Sequence, residues 1–130
     1  MFTIQQIKEA HSKVKSGADF PAYIQDLIKL GVRHYETYVS DGHALYYGSN
    51  EFKTSSDSKY APLLIAETSN IPQFIDNLKW HQQGKTDYLT FCRDCANNGV
   101  EKWLVDTTKM TCIYYDKAGN EMLAEVIPSL

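Results

Sequence analysis

The sharpest chemical motif in the chain is Cys92-Arg93-Asp94-Cys95. Two thiols separated by two residues suit a redox couple or one half of a zinc site. Zinc needs two further ligands, for which Cys112 and His81 are the candidates. A redox couple needs its first cysteine near a helix N-terminus, where the thiol pKa falls, within a thioredoxin-like βαβ setting. Neither context is evident around these residues.

A second cluster surrounds Asp41-Gly42-His43, a strong hairpin-tip signal. Asp41 and His43 form a polar pair of the kind used for acid–base work or weak metal ligation. Aspartate and glycine also belong in an ordinary turn, and histidine is common on surfaces. His34 opens the strand before the tip, and Tyr38 and Tyr47 lie on the strands that flank it. His34, Tyr38, Asp41, His43 and Tyr47 are therefore the candidate binding residues. No catalytic residue, metal or cofactor is assigned. The remaining histidines, His11 and His81, fall on or beside apolar helical stripes, as histidines at a core edge do.

Nine tyrosines are the other chemical resource. Tyr35, Tyr38, Tyr46, Tyr47, Tyr60, Tyr114 and Tyr115 fall in predicted strands. Strand residues alternate faces, so one member of each Tyr-Tyr pair should face the helices and the other the open side. An open face carrying tyrosines suits a small ligand, a protein partner or a dimer contact. The chain contains no Gly-rich phosphate loop, no Gly-x-Ser-x-Gly elbow and no His-Glu-x-x-His pair.

The elements that must position these residues come in two similar sets. Thr3 with Gln6 has capping-box spacing, and Ile4, Ile7, Ala10 and Val14 follow a helical period. Phe20, Tyr23, Ile24, Leu27 and Ile28 mark a second helix that ends at Gly31-Val32. A third starts after Asn70, with Pro72 tolerated in its first turn, and carries Ile71, Phe74, Ile75 and Leu78. A fourth carries Tyr88, Phe91, Cys92, Cys95 and Ala96, then Gly99-Val100. Strands are predicted near 34–39, 44–47 and 60–66, and again near 102–106, 111–115 and 122–127, with a polar loop at 49–59 in the first set.

Sliding the chain by 68 positions superimposes residues 19–47 on 87–115 without a gap, and upstream a shift of one residue brings Ile4, Gln6 and Gly17 onto Ile71, Gln73 and Gly84. Asp19, Asp26, Gly31 and Val32 fall on Asp87, Asp94, Gly99 and Val100. Tyr23 and Tyr35 fall on Phe91 and Trp103, and Tyr46-Tyr47 falls on Tyr114-Tyr115. The chain reads as an internal duplication of a helix–helix–strand–strand–strand unit, with pseudo-repeats at about 3–66 and 71–127 in one α+β domain of 130 residues. Antiparallel sheet, with helices over one face, is the expected architecture. The duplication also reassigns the cysteines. Cys92, Cys95 and Cys112 correspond to Ile24, Leu27 and Ala44, so they read as small buried apolar residues rather than as a site.

Charge narrows the function classes. Thirteen basic against sixteen acidic residues leave a net charge of −3 and no basic cluster, which disfavours nucleic acid. No apolar run approaches the roughly 20 residues of a membrane span. The N-terminal residues lack the basic-then-apolar layout of a signal peptide, so the cytoplasm, with reduced thiols, is expected.

Three stretches carry a family likeness. They are Tyr35-Glu36-Thr37-Tyr38-Val39-Ser40-Asp41-Gly42-His43, then Asp87-Tyr88-Leu89-Thr90-Phe91-Cys92, and the run from Gly99-Val100-Glu101-Lys102-Trp103 through Met110-Thr111-Cys112 to Tyr114-Tyr115-Asp116-Lys117. Together they resemble a bacterial domain-of-unknown-function family typified by the prophage proteins YdfO and YbcV, also labelled phage envelope protein. The likeness spans nearly the whole chain and implies a phage connection. It carries over no activity, cofactor or catalytic residue. The expected role is a non-catalytic binding or protein-interaction module, using the aromatic sheet face or the 49–59 loop. The alternative is a small-molecule enzyme with His34, Asp41 and His43 as its acid–base cluster. The partner is a protein or small molecule, and a homodimer is compatible with either reading.

Overall fold

The computed structural model describes residues 2–15 and 17–128. Helix α1 (Ile4–His11) begins in the expected capping box. Gln6 N–H donates to Thr3 Oγ1 at 3.1 Å, and Thr3 N–H donates to Gln6 Oε1 at 2.8 Å. A single 3₁₀ turn, Gly17–Asp19, leads into α2 (Phe20–Leu30). That helix stops because Gly31 adopts φ 99°, and Val32 N–H then turns back to Leu27 O at 3.0 Å. Helices α3 (Ile71–Gln82) and α4 (Tyr88–Asn97) start under Asn70 and Asp87, whose side chains accept from Gln73 N–H at 3.2 Å and Thr90 N–H at 2.7 Å. The end of α4 repeats the device of α2: Gly99 has φ 87°, and Val100 N–H donates to Cys95 O at 2.9 Å.

The strands are β1 (His34–Tyr38), β2 (Ala44–Tyr47), β3 (Lys53–Ser55), β4 (Lys102–Asp106), β5 (Thr111–Tyr115) and β6 (Glu121–Val126). They form one antiparallel sheet in the order β3-β2-β1-β4-β5-β6, so the two predicted halves meet at its centre. The registers of the two hairpins coincide after a shift of 68. Pairs His34–Tyr47 to Thr37–Ala44 of β1 and β2, moved by 68, become Lys102–Tyr115 to Val105–Cys112 of β4 and β5. The middle pair of the β1–β4 joint, Glu36–Leu104, is itself related by 68.

One predicted strand is absent. Residues 60–66 are not a strand, and β3 lies instead inside the stretch read as a polar loop. Donors at the start of the segment go to the β1–β2 turn, and the Ala66 N–H goes to Ala96 O at the end of α4, rather than to a strand edge. Lys59 N–H reaches Asp41 O at 2.8 Å, Leu63 N–H reaches Ser40 O at 2.6 Å, and the Tyr60 hydroxyl reaches Val39 O at 2.6 Å. Pro62 has no donor to offer a ladder.

One face of the sheet is buried. Tyr35, Thr37, Ala44, Tyr46, Trp103, Val105, Cys112, Tyr114 and Met122 are each less than a tenth exposed. Apart from Thr37, these residues share a single core with the apolar stripes of the helices, including Ile24, Leu27, Phe74, Phe91 and Cys95. The alternation expected of the Tyr-Tyr pairs is realised: Tyr46 and Tyr114 point inward, while Tyr47 and Tyr115 are half-buried on the other face. A buried amide pair links α3 to the end of α4, Asn98 Nδ2 donating to Asn77 Oδ1 at 2.8 Å. No helix is long and apolar enough to cross a membrane among the described residues.

Candidate functional site

The five residues singled out by type lie on or beside the outward face, and four of them make two stacked pairs. His34 stacks on Tyr47 with ring centroids 4.3 Å apart, and Tyr38 on His43 at 4.7 Å. Around them the Tyr38 hydroxyl donates to Glu36 at 3.0 Å, and Lys102 reaches Glu36 at 3.4 Å while lying over the Tyr38 and Tyr115 rings. Asp41 accepts from the His43 N–H at 3.0 Å, from His43 Nδ1 at 2.5 Å and from Ser58 Oγ at 2.8 Å. Burial pushes this carboxyl up, but the donors of His43 and Ser58 outweigh it and hold its pKa down at about 2. A carboxylate held so low and so fully engaged is a poor proton acceptor near neutrality.

Asp41 acts instead as an anchor. Through Ser58 and its own carbonyl it fastens the segment that carries Lys59 and Tyr60. The fit is tight: a Cβ on Gly42, whose φ is 79°, would lie 2.7 Å from the Tyr60 ring and 3.1 Å from Lys59 Cβ. Asp41→Ala is expected to destabilise the protein by about 1 kcal/mol at pH 7. Because the folded pKa lies below the ordinary value of 3.8, this contribution is present above about pH 4 and fades as pH falls towards 2. Urea denaturation of both proteins at pH 7 and pH 2.5 checks it. The gap between them should narrow in acid.

The cysteines are all buried and free. Burial raises the Cys92 and Cys95 pKa values and pushes Cys112 up to about 12, opposite to the shift that activates a thiol. Among the described residues no group of three or more histidine, cysteine, aspartate or glutamate side chains is placed to hold a metal ion.

One concavity lies on the inner side of the sheet. A cavity of about 460 Å³ is walled by Tyr35, Tyr46, Trp103 and Tyr114 from the strands and by Tyr23, Tyr88 and Phe91 from the helices. The wall draws on both sequence halves at matching positions, since Tyr23 with Phe91, Tyr35 with Trp103 and Tyr46 with Tyr114 are related by 68. Its rings support one another at centroid distances of 5.3 Å for Tyr35–Tyr46, 5.8 Å for Phe91–Trp103 and 6.1 Å for Trp103–Tyr114. None of the five outward residues lines it.

Polar groups enter this apolar wall at few points. His11 sits edge-on to Tyr23 and Tyr88, and His81 stacks on Phe91 while its Nδ1 lies 3.1 Å from Thr86 O. Burial lowers both imidazole pKa values; Lys59 lowers His11 further, and the Thr86 carbonyl partly offsets the change at His81. Burial, reinforced by the Tyr46 phenol, raises the Tyr23 pKa far above the usual phenol range, so its hydroxyl stays neutral. Glu125 at the rim accepts from Gln82 Nε2 at 3.2 Å.

A second concavity of about 520 Å³ adjoins the first and shares His11, Tyr46, Lys59 and Tyr88 with it. Lys59 therefore stands where the two spaces meet. The residue as a whole is exposed, yet the surroundings of its ammonium are crowded enough for burial to lower its pKa, with Lys8 adding repulsion and Cys92 opposing.

Sequence reasoning passed over this cavity because each lining residue, taken singly, reads as core. The available signal was compositional: inward strand positions hold tyrosine where leucine, isoleucine or valine is usual, and both helical stripes hold a histidine. A family model described as "Protein of unknown function (DUF1398)" matches residues 8–126. No curated protein matches the chain.

Proposed function

We propose that this chain, which belongs to the DUF1398 family of proteins of unknown function, is a non-catalytic binding protein whose inner cavity holds one small, largely aromatic or apolar molecule. The observation that carries this reading is the cavity of about 460 Å³, apolar in most of its wall and polar at a few convergent points. Ligand sites generally have that size and character. The acid–base alternative at the first hairpin is weakened by the engaged Asp41 carboxylate.

The coincidence of strand registers after a shift of 68 supports the chain being a duplicated unit. The shared core supports helices lying over one face of the sheet. On that reading the binding cavity arose where two copies of one unit face each other, so much of its aromatic wall is doubled. The likeness to the prophage proteins supports a phage-derived protein acting in the bacterial cytoplasm.

Titration with N-phenyl-1-naphthylamine, a neutral aromatic probe that brightens in apolar surroundings, tests the reading. One saturable site is expected, with quenching of tryptophan emission that is stronger in Trp80→Phe than in Trp103→Phe, since Trp103 but not Trp80 lines the cavity. Cys112→Phe puts a ring into the cavity and should weaken probe binding by at least about tenfold, a loss of roughly 1.4 kcal/mol. Circular dichroism confirms that the variant is folded. Non-saturable binding, or unchanged affinity in folded Cys112→Phe, would count against the cavity as the site.

A further inference from the structure

We infer that Lys59 is the anion-recognising residue of the cavity, and that the ligand is an aromatic monocarboxylate with its ring among the tyrosines and its carboxylate at the lysine. The inference rests on the binding role proposed above and names the ligand class for it. Four observations carry it. Lys59 lines both concavities and stands where they adjoin. Its ammonium has no ion-pair partner among the described residues. The acidic residues that line the same spaces make no ion pair with it: Glu125 accepts from Gln82, and Asp87 caps α4 through Thr90 N–H. The groups that bear electrostatically on Lys59 are Lys8, His11 and Cys92, none of which is a carboxylate.

A lone ammonium at the edge of an apolar wall attracts one negative charge, and the charge-assisted hydrogen bond it makes is stronger where water is partly excluded. A single lysine, beside imidazoles that burial keeps towards the neutral form, matches a monoanion. A phosphate dianion would call for more donors than these. The position of the lysine is fixed by the hairpin tip. Asp41 holds the backbone of Lys59, Ser58 and Tyr60 flank it with their own bonds to the β1–β2 turn, and Gly42 leaves no space between. The turn residues singled out from sequence thus serve as positioning residues for the lysine.

Calorimetric titration at pH 7 with 2-naphthoate and its neutral methyl ester separates the anion from the ring. Wild-type protein should bind naphthoate about tenfold more tightly than the ester. Lys59→Met should lower naphthoate affinity about tenfold while leaving the ester within about twofold, and Lys59→Arg should restore the preference. Equal affinity of the wild type for the two ligands, or a Lys59→Met variant weakened alike towards both, overturns the anion assignment and leaves the cavity reading intact. Absence of binding by either ligand and by the neutral probe overturns both.

Discussion

Phe74→Ala is expected to destabilise the protein by about 3–5 kcal/mol. The ring has no exposed surface, and it joins three elements. It projects from α3, meets Tyr114 of β5 edge-on with centroids 4.9 Å apart, and lies 6.3 Å from Phe91 of α4. Truncation removes the transfer free energy of the ring and leaves a void, because partners on a helix and a strand cannot all close in at once. Tyr114 and Phe91 are also cavity wall, so the void opens behind the proposed binding surface. Thermal denaturation followed by circular dichroism should register a fall in Tm of roughly 10–20 °C. Leu64→Ala provides the contrast. Leu64 is 89% exposed, and its loss should change stability by no more than about 0.5 kcal/mol. A Phe74 variant that unfolds within a few degrees of the parent would mean that the α3–sheet contact is not part of the cooperative core.

Gly17→Ala is expected to cost about 1–3 kcal/mol for the opposite reason, added atoms where no space exists. A Cβ at this position would lie 2.6 Å from His81 O and 2.8 Å from Gln82 Cα. Both are backbone atoms near the end of α3, so no side-chain rotation relieves the clash. The 3₁₀ turn and the helix would have to separate, and the residues they carry would separate with them. Gly17, Phe20 and Pro21 line the cavity on one side of this contact, and His81 and Gln82 on the other. The variant should therefore lose both denaturant resistance and affinity for the neutral naphthylamine. Full retention of both would require α3 to shift as a unit without consequence, which its buried Asn77–Asn98 bond opposes.

Much of the fold was legible because local chemistry and burial agree. Thr3, Asn70 and Asp87 cap helices with oxygens placed three residues before the N–H they accept, and Gly31 and Gly99 end two of the helices. The central strands alternate strictly, which fixes both their limits and their faces. Strand β3 was not legible for the same physical reason in reverse. Lys53-Thr54-Ser55 has no apolar face and is held at the sheet edge by β2 alone, so nothing in its pattern distinguishes it from a loop. The apolar residues of 60–66 gave a strand-like pattern, but their burial is uneven: Ile65 is in the core while Leu64 is in solvent.

The site was legible only in part. Asp41 and His43 stand out by residue type, and they do form a bonded pair, yet that pair anchors a neighbouring segment. Lys59 carries no local signal at all, since one lysine in a polar stretch is ordinary. Its importance lies in what the chain brings near it from residues 11, 46 and 88, and such a gathering is a property of the tertiary fold. A cavity is likewise a deficit of volume summed over the whole wall, which no window of sequence contains.

The joint between β1 and β4 has a consequence for the order of folding. Its five pairs link residues 64 to 72 positions apart, from Tyr38–Lys102 to His34–Asp106. During synthesis the β1–β2 hairpin, complete at Tyr47, emerges with one edge of β1 unpaired until β4, which ends at Asp106, has followed. Contacts of such long range close slowly, and an open edge pairs with whatever complementary strand arrives first. In crowded refolding that strand can be β4 of another molecule, and reciprocal exchange would rebuild the same six-stranded sheet across two chains. Slow refolding at low concentration should favour the monomeric closure, and rapid refolding at high concentration should trap the exchanged pair.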